Sequence, residues 1–260
     1  MIVVVTSFYR TQAMSSFLFF SYLLHFNCKF VMMKNYFKGR HFQKDIILVA
    51  VGYYLRFSLS YRDLVEILRD RGIAVHHTTI MRWVHHYGPI FKLLWRKQQH
   101  ATSQSWRMDE TYLKIKGRWY YFYRAIDNHG LTLDFELRRH RDYQSAYHFL
   151  KRLLTTYGRP DCLVTDQYGA TLKAIKQVIK NGLLAKGNHQ CSTYRNNLIE
   201  QDHRLIEHVL VKSSGFQSMR TASKTLSGIE VMHQLHKISQ RAINLFGFSA
   251  LQSLTELLAN

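Results

Sequence analysis

Acidic residues are scarce in this sequence. The 260 residues include 17 Asp plus Glu against 36 Lys plus Arg, which gives a formal net charge of +19. This imbalance exceeds what solubility requires and favours a polyanionic partner. Because the basic residues are spread along the chain among 14% aromatic residues, nucleic acid is favoured over an anionic membrane surface.

Cysteine is also scarce. The sequence has three cysteines, Cys28, Cys162 and Cys191, with no C-x-x-C pair. The odd number and the spacing argue against a disulfide framework and favour a reducing cytoplasm. A zinc site built from His189, Cys191 and His203 would lack any recognised ligand spacing, so Cys191 is interpreted as an ordinary residue.

The chain lacks a long uninterrupted apolar run. The run FLFFSYLLHFNCKFV near the amino terminus contains His25, Asn27 and Lys29, and it falls short of the roughly 20 apolar residues that a membrane helix needs. No clear small-x-small cleavage site follows it. We therefore expect residues 1–33 to be a disordered leader or an over-extended reading frame, with no membrane insertion.

Residues 34–91 show three helical patterns. An apolar periodicity runs from Phe42 to Phe57, Ser60 and Asp63 form a capping-box-like start, and Thr78 or Thr79 begins a third helix. Two helices joined by a short turn containing Gly72 are typical of a helix-turn-helix, whose second helix enters the major groove of DNA. The expected DNA contacts are Thr79, Arg82, His85 and His86. The alternative is a plain three-helix bundle.

A basic linker is predicted for residues 92–104, a catalytic domain for 105–215 and a helical segment for 216–260. The catalytic domain begins with three strand-like runs separated by turns, which predicts an antiparallel meander. Helix, strand, helix, a strand or loop, and helix then follow. This order predicts an α/β fold, a ribonuclease H-like core with a mixed sheet and flanking helices, preceded by the small all-α domain.

Three carboxylates fall on core elements of that domain. Asp109 lies in the strand-like SWRMDETYLKIKG, Asp166 follows the apolar run CLVT, and Glu200 lies in the helical YRNNLIEQDHRLIEHV. Carboxylates on separate elements can hold a pair of magnesium ions for phosphoryl transfer. Glu110 is demoted because side chains alternate along a strand. Three further acids are expected to be solvated: Asp127, Asp134 and Asp161.

Several blocks resemble one known family. HHTTIMRWVHHY, WRMDETYLKIKGRWYYFYRAID, TDQYGA, YRNNLIEQDHR and GFQSMRTASKTLSGIEVM are similar, in one collinear order, to DDE transposases of the insertion sequence six family. The resemblance implies a catalytic and metal-binding triad of Asp109, Asp166 and Glu200. It also implies Mg²⁺ dependence, binding to terminal inverted repeats, and replicative transposition through a cointegrate. Mn²⁺ can replace the two expected Mg²⁺ ions, since both metals accept oxygen ligands.

The sequence departs from the family pattern after the third acid. Members usually carry Lys or Arg seven residues after the catalytic Glu, where this chain has Glu207. An acid there would repel phosphate. We expect His203 and Arg204, one helical turn after Glu200, to take over the contact with DNA.

The predicted protein is therefore a cytoplasmic, nucleoid-associated DNA transposase that acts on element ends and target DNA as a homodimer or larger assembly. Two alternatives stay open. One is another nuclease or integrase on the same fold, which the absence of a His-His-Cys-Cys zinc module disfavours. The other is a non-catalytic DNA-binding protein, including a decayed transposase copy.

Overall fold

The computed structural model describes residues 36–98, 103–192, 197–210, 216–241 and 249–259. Residues 1–35, with the expected leader, lie outside them. The helices are α1 (Lys44–Arg56), α2 (Tyr61–Arg69), α3 (His77–Gln98), α4 (Tyr143–Tyr157), α5 (Gly169–Lys180), α6 (Asn197–Leu210), α7 (Met219–Arg241) and α8 (Ala250–Ala259). The strands are β1 (Ser105–Ile115), β2 (Arg118–Asp127), β3 (Thr132–Arg138), β4 (Cys162–Thr165) and β5 (His189–Cys191). Among the described helices, none combines the length and apolar character needed to cross a membrane.

The strands form one mixed sheet in the order β3-β2-β1-β4-β5. The first three strands are the predicted antiparallel meander, and β4 and β5 run parallel to β1. Lys116 and Gly117 join β1 to β2 with φ angles of 47° and 78°. Two positive φ angles match the right-handed twist of a tight hairpin, which explains why the strands turn at this glycine. The sheet confirms the predicted ribonuclease H-like α/β topology.

Each face of the sheet packs against a different set of helices. One face, with Trp106, Met108 and Tyr123, packs against α4 and α5. The opposite face, with Leu113 and Phe122, belongs to a core that also contains residues of α6 and α7. The alternation of side chains along β1 thus places successive residues in two separate cores.

The amino-terminal helices share the second core with the carboxy-terminal helices. Gly88 of α3 and Gly228 of α7 allow these two helices to cross closely, because a Cβ at Gly88 would lie 2.3 Å from the Lys224 carbonyl oxygen. The predicted capping box of α2 is present, since Ser60 and Asp63 satisfy each other's backbone N–H groups. The third helix begins at His77, one residue before Thr78.

The predicted linker is partly wrong, because residues 92–98 are the last turns of α3. Their polar character reflects contacts with the sheet. Lys92 Nζ donates to the Phe135 carbonyl oxygen at 3.1 Å, and Arg96 Nη2 lies 2.6 Å from Asp134 Oδ1. Asp134 is therefore buried, although it was expected to be solvated. Asp127 was also expected to be solvated, but it is buried, and its carboxylate accepts backbone N–H groups of its own turn.

A buried polar cluster joins α7 to the sheet. The Arg124 guanidinium of β2 forms an ion pair with Glu230 of α7, and both side chains are fully buried. Thr132 of β3 accepts a hydrogen bond from the Gln234 amide at 2.7 Å, and its backbone N–H donates to Gln234 at 2.9 Å. These contacts fix α7 against the face of the sheet that carries Asp109, since Arg124 lies directly opposite Asp109 in the strand register.

Candidate active site

Two of the predicted acids lie side by side on neighbouring parallel strands, Asp109 within β1 and Asp166 just after the carboxyl end of β4. Arg107 of β1 is paired with Val164 of β4, so Asp109 and Asp166, each two residues further on, lie at the same level. Carboxylate oxygens of Asp109, Glu110 and Asp166 all lie within 4.8 Å of one another. Oxygen atoms at this spacing are a donor set suited to a hard cation such as Mg²⁺.

Glu110 belongs to this cluster although the sequence argument demoted it. In the strand register it shares its face with Met108, opposite to Asp109, as alternation requires. Alternation predicts the face on which a side chain lies, but not how far the side chain extends. Asp166 lies just beyond the end of β4, where the Glu110 carboxylate can approach it. The sequence signal that could have placed Glu110 in the cluster was its position directly after Asp109.

The cluster is short of positive charge. Burial raises the pKa of Asp109 to about 7, and the neighbouring charges of Glu110, Asp166 and Glu200 add to the increase. Burial and Asp166 also raise the pKa of Glu110, although Arg141 opposes that shift. Because crowded carboxylates disfavour the ionised state, a divalent cation bound among them would relieve their repulsion.

Glu200 approaches the cluster from a different element. It lies in the first turn of α6, is exposed, and is close enough to raise the pKa of Asp109. Among the described residues it does not join the set of oxygens that lie within 4.8 Å. The structure thus brings Asp109 and Asp166 together and leaves Glu200 at the rim.

Arg141 forms ion pairs with two of the acids, and sequence reasoning missed it. It follows β3 and forms ion pairs with Glu110 and, at 3.1 Å, with Asp166. Its guanidinium lies 3.7 Å from the centre of the Tyr168 ring, and the Tyr168 hydroxyl donates to the Arg141 carbonyl oxygen at 3.1 Å. Arg141 therefore neutralises part of the acidic cluster and links the β3–α4 loop to the residues after β4.

Glu207 has a defined partner. Thr111 of β1 donates a hydrogen bond from Oγ1 to Glu207 Oε1 at 2.9 Å, which joins α6 to the strand that carries Asp109. Of the two residues expected to replace a basic side chain here, Arg204 is exposed and His203 is only 6% exposed. His203 therefore lies in the interior, because the apolar face of α6 packs inward.

The predicted DNA contacts on α3 differ in exposure. Arg82 and His86 are exposed, whereas Thr79 and His85 are half-buried. Burial lowers the pKa of both histidines, with Lys224 contributing to each and Arg40 to His86. Both shifts favour the neutral imidazole, which offers hydrogen bonds rather than positive charge.

The strand order, with acids on the first strand and after the fourth, is that of a ribonuclease H-like α/β core that carries a carboxylate cluster. The family described as "DDE domain" matches residues 103–239. The chain is also 50% identical over 226 residues, 87% of its length, to the whole of the transposase for insertion sequence-like element IS431mec of Staphylococcus aureus. The transposase for element IS257 in transposon Tn4003 of the same organism matches with the same identity and coverage.

The chain therefore belongs to the insertion sequence six family of DDE transposases. It is a DDE-type transposase, an enzyme of the polynucleotidyl transferase class. Among solved structures, the HTLV-2 integrase catalytic core in complex with magnesium is 15% identical, with a TM-score of 0.41, covering 59% of this chain and 98% of that one.

Proposed function

We propose that this transposase nicks the ends of its own insertion sequence and joins the resulting 3′ hydroxyl to target DNA, with a replicative, cointegrate outcome. The observation that carries the proposal is the cluster of Asp109 and Asp166 with Glu200 at its rim. Arg141 pairs with Glu110 and Asp166, and the acids around Asp109 still raise its pKa, so the site remains acidic. Excess acid at a site that must accept a phosphate group favours a metal-dependent reaction.

Asp109, Asp166 and Glu200 would hold two Mg²⁺ ions, which Mn²⁺ can replace. When bound, such ions lower the pKa of a coordinated water or hydroxyl group and neutralise charge on the phosphate. Asp109 is the best candidate for a shared ligand, because the other acids surround it and all raise its pKa. Glu110 keeps Arg141 in place through their ion pair, so we assign it a positioning role.

The DNA substrates would be double-stranded terminal inverted repeats and target DNA. Arg82 and His86 on α3, with the half-buried Thr79 and His85 beside them, form the proposed contact surface of the helix-turn-helix. Arg204, exposed on α6 one turn after Glu200, is the proposed phosphate contact near the active site. A homodimer or larger assembly on DNA, located at the bacterial nucleoid in the cytoplasm, would bring two element ends together.

The proposal is tested by measuring the strand-transfer activity of the Asp109→Asn variant. The substitution keeps the size of the side chain and removes the charge, so we expect strand transfer to be lost while binding to element-end DNA changes less than about twofold. Asp161→Asn is the matched control, because Asp161 is exposed and lies outside the carboxylate cluster. Transfer by Asp109→Asn at the wild-type rate would refute the assignment.

The competing proposal is a DNA-binding protein without catalytic activity. Its sequence support was Glu207, but the hydrogen bond from Thr111 gives that side chain a role in joining α6 to β1. A metal-dependent nicking assay on element-end DNA separates the two proposals. Specific binding without any nicking by the wild-type protein would favour the competitor.

A further inference from the structure

A groove of about 620 Å³ opens beside the carboxylate cluster. One wall is the β1–β2 hairpin, and the other consists of the β3–α4 loop and Tyr168. The side chains that define it are aromatic or basic, with one acid: Tyr112, Trp119, Tyr121, Arg118, Arg139, His140, Arg141 and Asp142. Neither the metal site nor the helix-turn-helix accounts for this surface.

The aromatic side chains of the groove present their rings to solvent. Tyr112 is 54% exposed and Trp119 is 59% exposed. The two rings meet edge to face with centroids 6.3 Å apart, and Tyr112 contacts Tyr121 in the same way at 5.9 Å. Because both strands of the hairpin hold them, these rings are ordered before any ligand arrives, which reduces the entropy cost of stacking on them.

The groove is also positively charged. In the described part of the chain, neither Arg118 nor Arg139 has an ion-pair partner, so both guanidinium groups are available for an anion. The acid that lines the groove, Asp142, accepts the Ser145 backbone N–H at 2.8 Å as the cap of α4. This pattern of ring faces and arginines matches the alternating bases and phosphates of a nucleic acid strand.

Arg141 connects the groove to the active site. It lines the groove and also pairs with Glu110 and Asp166, while Tyr168 stacks on its guanidinium. A strand that lies in the groove would therefore pass directly beside the carboxylates. Bases inside a duplex are stacked on each other and cannot offer their ring faces to a protein side chain, so the occupant must include an unpaired nucleotide.

We propose that this groove binds an unpaired nucleotide of the DNA strand at the active site. Its base stacks on Trp119 and Tyr112, and its phosphate lies beside Arg118 and Arg139. The inference rests on the proposed function for the identity of the substrate, but the binding it describes does not require catalysis. It adds a subsite for distorted or single-stranded DNA to an enzyme whose ends and target are duplexes.

The experiment compares two probes on the full chain. Fluorescence anisotropy would measure binding of an oligothymidine strand and of a blunt duplex with the sequence of the element end. We expect Trp119→Ala to weaken binding of the single strand about 5- to 100-fold and to change duplex binding less than about twofold. Trp119→Phe should retain most of the affinity, because phenylalanine keeps a ring face. Phe57→Ala is the matched control, since Phe57 is an exposed aromatic residue outside the groove.

Three results would overturn the inference. Unchanged affinity of Trp119→Ala for oligothymidine would show that the base does not stack on this ring. Equal losses of affinity for both probes would indicate an ordinary duplex-binding surface. A change of oligomeric state in Trp119→Ala, measured by sedimentation, would assign the rings to a contact between two copies of the chain. The two proposals can also fail separately. If Trp119→Ala weakens binding of the single strand but the wild-type protein performs no strand transfer, the groove is supported as a binding site and the proposed function is refuted.

Discussion

Two groups of charges meet on β1 and β2, and they differ in how they are balanced. Arg124 and Glu230 are fully buried and paired with each other, and the Thr132 hydroxyl is hydrogen-bonded to both. Asp109 lies directly opposite Arg124 in the strand register, but the Arg124 guanidinium is occupied by Glu230. Asp109 has Glu110 and Asp166 as neighbours, and its burial together with these acids raises its pKa.

The comparison separates charges that stabilise the fold from charges that serve the reaction. A buried charge that is paired with an opposite charge and hydrogen-bonded to its neighbours holds two elements in one arrangement. A cluster of acids with too few cations costs stability and is retained where it binds a ligand that supplies the missing charge. The same sheet therefore contains a structural pair and a functional cluster on adjacent strands.

Breaking the structural pair should have the largest effect on stability. Glu230→Ala leaves the Arg124 guanidinium buried without its carboxylate, and we expect the free energy of unfolding to fall by about 3–5 kcal/mol. Urea denaturation followed by circular dichroism measures the change. The double variant Arg124→Met with Glu230→Leu is the control and should recover most of the loss. A loss below about 1 kcal/mol for Glu230→Ala would show that the pair does not hold α7 on the sheet.

Removing one acid from the functional cluster should instead raise the free energy of unfolding. Asp109→Asn removes one of the crowded charges, so we expect the metal-free protein to gain about 0.5–2 kcal/mol at pH 8. The gain should shrink toward pH 4, where the wild-type carboxyl is protonated in the folded state. Asp161→Asn, measured in parallel by thermal unfolding, should change little. A destabilised Asp109→Asn would contradict the view that this acid costs stability.

The pH dependence of the metal-free protein follows from the same shift. The pKa of Asp109 is raised to about 7 in the folded state from the ordinary 3.8, so the folded protein binds the proton more tightly. This contribution to stability is complete below about pH 4 and is lost as the pH rises toward 7. Stabilisation by added Mg²⁺ should therefore grow over the same interval, because the metal binds the ionised carboxylate.

Differential scanning fluorimetry between pH 4 and pH 8, with and without Mg²⁺, measures this dependence. The Asp109→Asn variant should show a flatter profile than wild type. A Mg²⁺ effect of equal size at every pH in both proteins would contradict the assignment of the metal site to these acids.

The smallest expected effect concerns the hydrogen bond between α6 and β1. Thr111→Val removes the donor to Glu207, and we expect a loss of about 0.5–1.5 kcal/mol, since Glu207 is exposed and can bind water instead. Chemical denaturation measures the loss, and Thr111→Ser is the control that keeps the hydroxyl. An unchanged free energy of unfolding in Thr111→Val, which keeps the methyl group, would show that the hydrogen bond does not contribute to stability.

Much of the fold could be predicted from the sequence because its signals are local. The capping box at Ser60 and the turn at Gly117 both formed as expected. The extension of α3 to Gln98 was not predictable, because Lys92 and Arg96 resemble linker residues until β3 supplies Phe135 and Asp134 as partners. Tertiary contacts determine that these residues are helical, and the periodicity of the sequence carries no information about such contacts.

The candidate site shows the same division. Asp109 and Asp166 could be assigned to one site because one lies in a strand-like run and the other directly follows one, and the register of β1 with β4 brings them to the same level. The contribution of Glu110 and Arg141 depends on side-chain reach across a strand end, which alternation does not describe. The burial of His203 depends on how α6 packs, which its position in the sequence left open.

The central claim is that Asp109 and Asp166 bind the metal that the reaction needs. Its most direct test is a Mn²⁺ titration of the full chain bound to element-end DNA at pH 8, followed by electron paramagnetic resonance. We predict that wild type and Asp161→Asn bind Mn²⁺ with similar affinity, and that Asp109→Asn and Asp166→Asn each weaken binding by about tenfold or more. Unchanged Mn²⁺ affinity in both Asp109→Asn and Asp166→Asn would contradict the claim.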